Sequence, residues 1–296
     1  MPSIQNGILQ DIPQHALYLI FALKPETDAG AVISSLKALL PLVDGEQIVL
    51  GLGASLVHLL GGKIAGLHDF NSIAGSQVDL PATPGAVWCW CRADQREELV
   101  HQLRNLRKIL AASFELQQVV DAFKVGTGRD LSGYEDGTEN PEGDAAIAAA
   151  ILQEDIANLN GSSFVAVQQW RHNFEQFEAM SELEQDHMIG RRKSDNLEMK
   201  DAPESAHVKR TAQENFTPEA FVLRRSMPWA DAKNAGLYFV AFGKSFDAFE
   251  VQLRRMSGAE DGIVDALFKF SQPVSGAYFW CPPMKAARLD LSALGI

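Results

Sequence analysis

The sequence predicts an α+β protein of two split β-α-β, ferredoxin-like units packed together. A strand-then-helix pattern recurs, each half carries further extended segments, and the connections between strands are long enough to hold helices. In the first half, "ALYLIFALKPETDAGAVISSLKALL" (16–40) and "AVWCWCRADQREELVHQLRNL" (86–106) read as strand, turn and helix, the latter with Leu99, Leu103 and Leu106 at helical spacing. In the second half, "SFVAVQQWRHNFEQFEAMSELEQDHMI" (163–189) and "GLYFVAFGKSFDAFEVQLRRM" (236–256) repeat the pattern, with Phe246, Phe249 and Leu253 on one helix face. "QIVLGLG" and "VVDAFKV" add strands to the first half, "FVLRRSM" and "GAYFWCP" to the second. The expected units are residues 1–140 and 141–296, with a pocket at their junction. The link "PEGDAAIAAAILQEDIANLNGS" (141–162) contains an Ala-Ile run expected to form a short helix or strand.

Of the 296 residues 46% are hydrophobic, ample for burial, and the length fits two domains at roughly 150 residues each. A net charge of -12 and a pI near 5.0 argue against a nucleic-acid partner, which needs a basic face, and against an anionic membrane surface. No stretch approaches the ~20 apolar residues of a spanning helix. The opening "MPSIQNGILQDIPQHA" lacks the basic end and apolar run of a secretion signal, so a cytoplasmic protein is expected. Cys89, Cys91 and Cys281, an odd set in apolar surroundings, read as buried thiols in a reducing compartment. Cys89 and Cys91 share one side of a strand, but no second pair stands at metal spacing, which speaks against zinc.

Three stretches carry candidate chemistry. "GYEDGTENP" (133–141) reads either as an ordinary surface loop or as a tight bend in which Gly133 and Gly137 press close to a bound group and aim Asp136 into a pocket. Of seven histidines, His15, His58, His68, His101 and His172 have no acidic or basic company arranged for catalysis and read as surface or core residues. His187 stands near a helix end, where a cation is favoured. His207 differs: it falls in the polar stretch "DAPESAHVKRT", where no periodicity explains its burial. In "FVLRRSMPW", alternation puts Arg224 and Ser226 on one face and Arg225 on the other, so one arginine points inward or the strand lies at an edge.

Together, and in that order, these stretches resemble the dye-decolorising peroxidase (DyP-type) family of haem proteins. The family's G-x-x-D-G hallmark stands here as Gly133, Tyr134, Glu135, Asp136 and Gly137, followed downstream by a His and by R-x-S, where other members carry R-x-N. The resemblance extends over nearly the whole chain, including "DGIVDALFKFSQPVSGAYFWCPP", and is nearest to the bacterial cytoplasmic members. It implies a dimeric α/β-barrel-like architecture that binds haem b mainly in the C-terminal half, with the Asp136 loop closing the N-terminal unit. By the same resemblance His207 is the axial iron ligand, Asp136 the distal carboxylate, Arg224 the distal arginine and Ser226 the small polar residue after it. Gly137, Thr138 and Glu139 would lie along the cofactor, and Arg191 in "IGRRK" would meet a propionate. Asp265 would hold His207, with Asp261 as the alternative, and Tyr134 is read as packing. Phe242 in "VAFG" is a candidate apolar cover over the iron, although a Phe in such a strand is core packing most of the time.

The implied activity is hydrogen peroxide-dependent one-electron oxidation of an organic donor: a dye, a phenol or a porphyrinogen. A proximal imidazole leaves the iron's sixth position open, a carboxylate can move the peroxide's proton, and a guanidinium can stabilise the leaving oxygen. A bulky donor cannot reach buried iron, so Trp170, Trp229 and Tyr278 are candidate exits for electrons. The rival readings are a haem- or porphyrin-binding, iron-handling protein of the same architecture without efficient turnover, and a non-catalytic oligomer. A homodimer or higher homo-oligomer is expected. The tail "ARLDLSALGI" leaves little room for a peptide that would dock the chain inside a protein shell.

Overall fold

The computed structural model describes residues 4–153 and 158–296, so the predicted link 141–162 falls partly outside the described residues. In the first half, β1 (His15–Leu23) leads to α1 (Ala29–Leu39), whose N-cap Asp28 accepts a hydrogen bond from the Ala31 N–H. β2 (Ile48–Leu52), the short α2 (Ala54–Leu59) and β3 (Val87–Ala93) follow. α3 (Arg96–Leu110) carries Glu97 and Glu98 in its first turn and Arg107 and Lys108 in its last, the arrangement the helix dipole favours, and β4 is Phe114–Phe123. The Ala-Ile run forms α4 (Gly143–Ala150).

In the second half, β5 (Ser163–His172) precedes two short helices, α5 (Phe174–Glu178) and α6 (Glu182–Ile189). Ser181 and Glu184 close a capping box at the start of α6. A single turn, α7 (His207–Arg210), then precedes β6 (Leu223–Arg224), β7 (Met227–Ala230) and β8 (Ala235–Gly243). α8 (Asp247–Met256) follows, and β9 (Ser271–Pro273) and β10 (Ala277–Cys281) complete the large sheet.

The first half lies in the antiparallel order β4-β1-β3-β2, and the second in the order β10-β5-β8, with β6 and β7 pairing along the free edge of β8. β4 joins β7 at Ala122↔Trp229 and β2 joins β10 at Leu52↔Trp280, so the sheet closes into a barrel-like ring. Closure removes the free edges that a long open sheet would leave unpaired.

Closure also sorts the strand residues by parity. Leu17, Leu19 and Phe21 pack outward with Val32 and Leu36 of α1 and Leu99 and Leu106 of α3, whereas Ala16, Tyr18 and Ile20 turn inward. The interior is aromatic: Tyr18, Trp88, Trp90, Tyr238, Phe242 and Phe279 meet there, with the Tyr18 and Tyr238 rings stacked at 4.1 Å. Trp88→Ala is therefore expected to lower the unfolding free energy by about 3–5 kcal/mol. Denaturant unfolding with an unchanged midpoint would show that this interior bears little of the stability.

Phe242 belongs to that interior. It is fully buried, with ring centroids 6.1 Å from both Trp88 and Trp90. The expectation that it covers a cofactor fails on strand parity, because the outward face of β8 presents Leu237 and Phe239 instead. Arg225 also points inward: its guanidinium donates to the Ile8 and Leu9 carbonyls at 3.1 and 2.8 Å, while Arg224 faces the other way. Cys89, Cys91 and Cys281 are free and buried, and burial pushes each thiol well above its ordinary pKa. Among the described residues no helix is long and apolar enough to cross a membrane.

Candidate functional site

A cavity of about 540 Å³ lies between the loop around Asp136 and the outer faces of β5, β8 and α8, within the ~300–1,000 Å³ usual for small-molecule and cofactor sites. His207, Asp136, Thr138, Glu139, Arg191 and Arg224 all line it. Residues far apart in the chain are thus brought to one place.

His207 opens α7 and is fixed from two sides. α6 ends at Gly190 with φ 93°, and a Cβ there would come 3.2 Å from Val208 and 3.3 Å from Ala206. The absent side chain lets the turn lie directly against the His207 segment. On the other side stands Asp265, 1% exposed, with Oδ2 2.8 Å from His207 Nδ1 and Oδ1 accepting the Leu267 N–H at 2.8 Å. Such an acceptor places the ring proton on Nδ1 and leaves the Nε2 lone pair uncommitted. Asp261, the alternative, is taken by Arg210, whose guanidinium donates to both its oxygens at 2.7 and 2.8 Å.

The Asp136 loop is folded back on itself. Arg129 and Glu135 form an antiparallel bridge, and the Asp136 N–H donates to the Gly128 carbonyl at 3.2 Å. Asp136 Oδ1 then stands 3.5 Å from Arg224 Nη2, both side chains about one-fifth exposed. Asn140 secures this approach: its amide donates to the Arg224 carbonyl at 3.0 Å and accepts from the Arg224 N–H at 2.8 Å. Gln213 ties the same region by donating to the Glu139 carbonyl and accepting from the Val222 N–H, each at 2.9 Å.

Two expected site residues act elsewhere. Gly137, at φ 81°, does not border the cavity; a Cβ there would meet Asn140 Nδ2 at 2.8 Å, so its role is to make room for the Asn140 clamp. Ser226 has the same parity as Arg224, yet it is buried and its Oγ accepts the Val240 N–H at 3.3 Å. It completes the β-ladder where the Arg225 carbonyl has turned to accept from the Tyr18 hydroxyl, and it does not line the cavity. Arg191 is at the cavity but engaged, pairing with Glu139 and with Glu198 at 3.6 Å and donating to the Asn196 carbonyl at 2.9 Å. Of the aromatic candidates Trp170 borders the cavity, Trp229 is buried with its indole donating to the Trp170 carbonyl at 3.0 Å, and Tyr278 lies outside the cavity lining.

Sequence reading missed three groups. Tyr134 does more than pack: it donates its hydroxyl to Asp186 beneath the Lys193 ammonium, 5.0 Å from the ring. Asn140 lies within the 133–141 loop, where its residue type signals a turn and nothing local marks it as a clamp on Arg224. His172, whose neighbours in the sequence offer no catalytic arrangement, has Nε2 3.0 Å from Asp130 Oδ1 and Nδ1 2.7 Å from Ser271 Oγ. Its partners are remote in sequence, and no local pattern marks such pairs.

Burial alone would raise the Asp130 carboxyl, but the hydrogen bond and charge of His172 and two bonds from Ser132 outweigh it and hold the pKa below the ordinary carboxylate value. A folded-state pKa below the unfolded one stabilises above the unfolded pKa, and that contribution is lost as pH falls through the folded one. Thermal unfolding of Asp130→Asn is therefore expected to show a weaker loss of stability on acidification than the parent protein. Parallel acid limbs would remove this pair from the account.

The family model described as "Dyp-type peroxidase, C-terminal" matches residues 127–286. A dye-decolorizing peroxidase of Rhodococcus erythropolis is 30% identical over 298 residues, covering 95% of this chain and 87% of that protein. Among solved structures, a dye-decolorizing protein from V. cholerae superposes with a TM-score of 0.86 at 25% identity, covering 98% of both chains. A DypB variant from Rhodococcus jostii, solved in complex with haem, gives a TM-score of 0.82 at 27% identity over 93% of this chain and 94% of its own.

Proposed function

The chain belongs to the dye-decolorising, DyP-type peroxidase family, and from that premise we propose that His207 ligates the haem iron while Asp136 and Arg224 handle the peroxide. The activity is that of a haem-dependent peroxidase. The observation carrying the residue assignment is a single cavity that holds both the Asp265-anchored imidazole and the Asp136–Arg224 pair.

The residues present fit haem. An imidazole with its Nδ1 proton bound to a buried carboxylate is the donor that haem iron takes, and Phe239, Phe249, Leu253 and Leu267 supply apolar walls. When bound, the haem supplies the redox chemistry. Asp265 orients the ring and raises its basicity. Asp136 takes a proton from hydrogen peroxide on its carboxylate and returns it to the departing oxygen. Arg224 keeps its charge throughout and stabilises the negative charge on that oxygen, while Asn140 holds the arginine's backbone still. Arg191 would exchange Glu139 for a propionate, with Thr138 and Glu139 beside it; the shared cavity supports that placement.

The proposed donors are dyes, phenols or porphyrinogens, the protein is read as cytoplasmic, and a homo-oligomer is expected. The order β4-β1-β3-β2, repeated as β10-β5-β8 and the β6/β7 edge, supports reading residues 1–140 and 141–296 as two ferredoxin-like units. Reconstitution with haem followed by hydrogen peroxide and a phenolic donor tests the function: many turnovers are expected. Tight haem binding without turnover would favour the haem-handling reading.

A further inference from the structure

The loop that carries Asp136 is a small hairpin. Its arms, 128–130 and 134–136, are joined by the Asp130 N–H to the Tyr134 carbonyl at 2.9 Å, by the Arg129–Glu135 bridge and by the Asp136 N–H to the Gly128 carbonyl at 3.2 Å. Asp130 closes the turn between the arms: its carbonyl accepts the Gly133 N–H at 2.9 Å, and its Oδ2 accepts the Ser132 N–H at 2.8 Å together with the Ser132 hydroxyl. These bonds fix the shape of the hairpin but not its orientation over the cavity.

The other carboxylate oxygen, Oδ1, leaves the loop and meets His172 Nε2 on β5 at 3.0 Å. A carboxylate only accepts, so Nε2 carries a proton. His172 Nδ1 stands 2.7 Å from the Ser271 hydroxyl, and the two residues are partners in the β5–β9 ladder. Phe174 and Phe270 flank the ring at centroid distances of 5.7 and 5.0 Å. The His172 side chain is 3% exposed and that of Asp130 13%, so water competes little for the bond, whereas the Arg129–Glu135 ion pair and the Asn196 bonds to Glu135 and Thr138 are exposed. A second buried tether, Tyr134 to Asp186, ends on the short helix α6 and not on the barrel. His172 thus gives the hairpin a rigid, buried attachment to the closed sheet.

We infer that His172 is a positioning residue for the peroxide chemistry: through Asp130 it sets the orientation of the hairpin, and so the place of the Asp136 carboxylate beside Arg224. Both of its nitrogens are committed to Asp130 and Ser271, so it acts through them and not on the peroxide. The inference rests on the reading of Asp136 as the group that moves the peroxide's proton. Proton transfer needs heavy atoms within about 2.6–3.2 Å, and a misplacement of about 1 Å costs on the order of 10²-fold. A hairpin released at Asp130 therefore loses rate without losing haem, because His207 is held separately by Asp265.

The test compares His172→Phe, which keeps a flat ring between Phe174 and Phe270 but removes both polar bonds, with His172→Gln, whose amide can still donate to Asp130 and accept from Ser271. Haem-loaded protein carries both readouts. Amide hydrogen exchange followed by mass spectrometry should be faster in peptides covering 128–137 of His172→Phe and unchanged in β1 and β3, with His172→Gln near the parent. The rate of the Soret change on adding hydrogen peroxide should fall about tenfold or more in His172→Phe and return to within about threefold of the parent in His172→Gln. The Soret spectrum before peroxide should be that of the parent in both. Asp130→Ala breaks the same bond from the hairpin side and keeps the test open should His172→Phe not fold; its rate loss should not add to that of His172→Phe. Exchange in 128–137 or a peroxide rate at parent level in both His172→Phe and Asp130→Ala would overturn the positioning role alone. A parent protein that binds haem but does not react with peroxide would overturn the peroxidase reading and this inference with it.

Discussion

Haem titrated into His207→Ala is expected to bind far more weakly than to the parent and to lose the spectrum of an imidazole-ligated iron. His207 is the histidine of the 540 Å³ cavity whose Nδ1 is held by a buried carboxylate and whose Nε2 is left free. The other histidine on that cavity, His172, has both nitrogens engaged, by Asp130 and Ser271. Asp265→Asn gives a graded version of the same test: loss of an outer partner of this kind typically costs about 10–100-fold in metal affinity or activity. An unaltered haem spectrum in His207→Ala would move the ligand elsewhere and undo the roles assigned around it.

Asp136→Asn is expected to slow the reaction with hydrogen peroxide by about 10²–10⁴-fold, the usual worth of a positioned acid–base group. The amide keeps the side chain's shape beside Arg224 but cannot accept and return a proton. Arg224→Gln should cost about 10²–10³-fold, in the range for losing one donor aimed at developing negative charge. Stopped-flow mixing with peroxide reads both, and equal rates for Asp136→Asn and the parent would transfer the main role to Arg224. Asn140→Ala separates position from charge. It breaks the two-way bond to the Arg224 backbone, so its effect should be smaller than that of Arg224→Gln and of the same kind.

Much of the site's composition was readable because it lies in short, unusual strings. Asp136 between two glycines, an unexplained His207 and paired arginines in an apolar strand each break the local pattern that packing alone would produce, and such breaks gather at functional places. Other features were hidden for distinct reasons. Phe242 and Phe239 are chemically alike, and only closure of the barrel decides which parity faces inward. Ser226 has the right parity but is diverted by a backbone N–H, because the Arg225 carbonyl turns to Tyr18. Gly137 was read as a contact to a ligand when its missing Cβ makes space for Asn140. The Asp130–His172 pair joins the Asp136 loop to β5, a contact that exists only once the two segments meet.

The chain by itself determined its alternation of strands and helices, its acidic balance and the identity of the residues able to move a proton, hold a charge or bind iron, since these follow from side-chain chemistry and local periodicity. Tertiary structure alone decided which way each strand face turns, which carboxylate reaches His207, and that Asn140 clamps the Arg224 backbone. Those outcomes depend on contacts between segments distant in sequence, fixed only when the ring of strands closes and its interior fills.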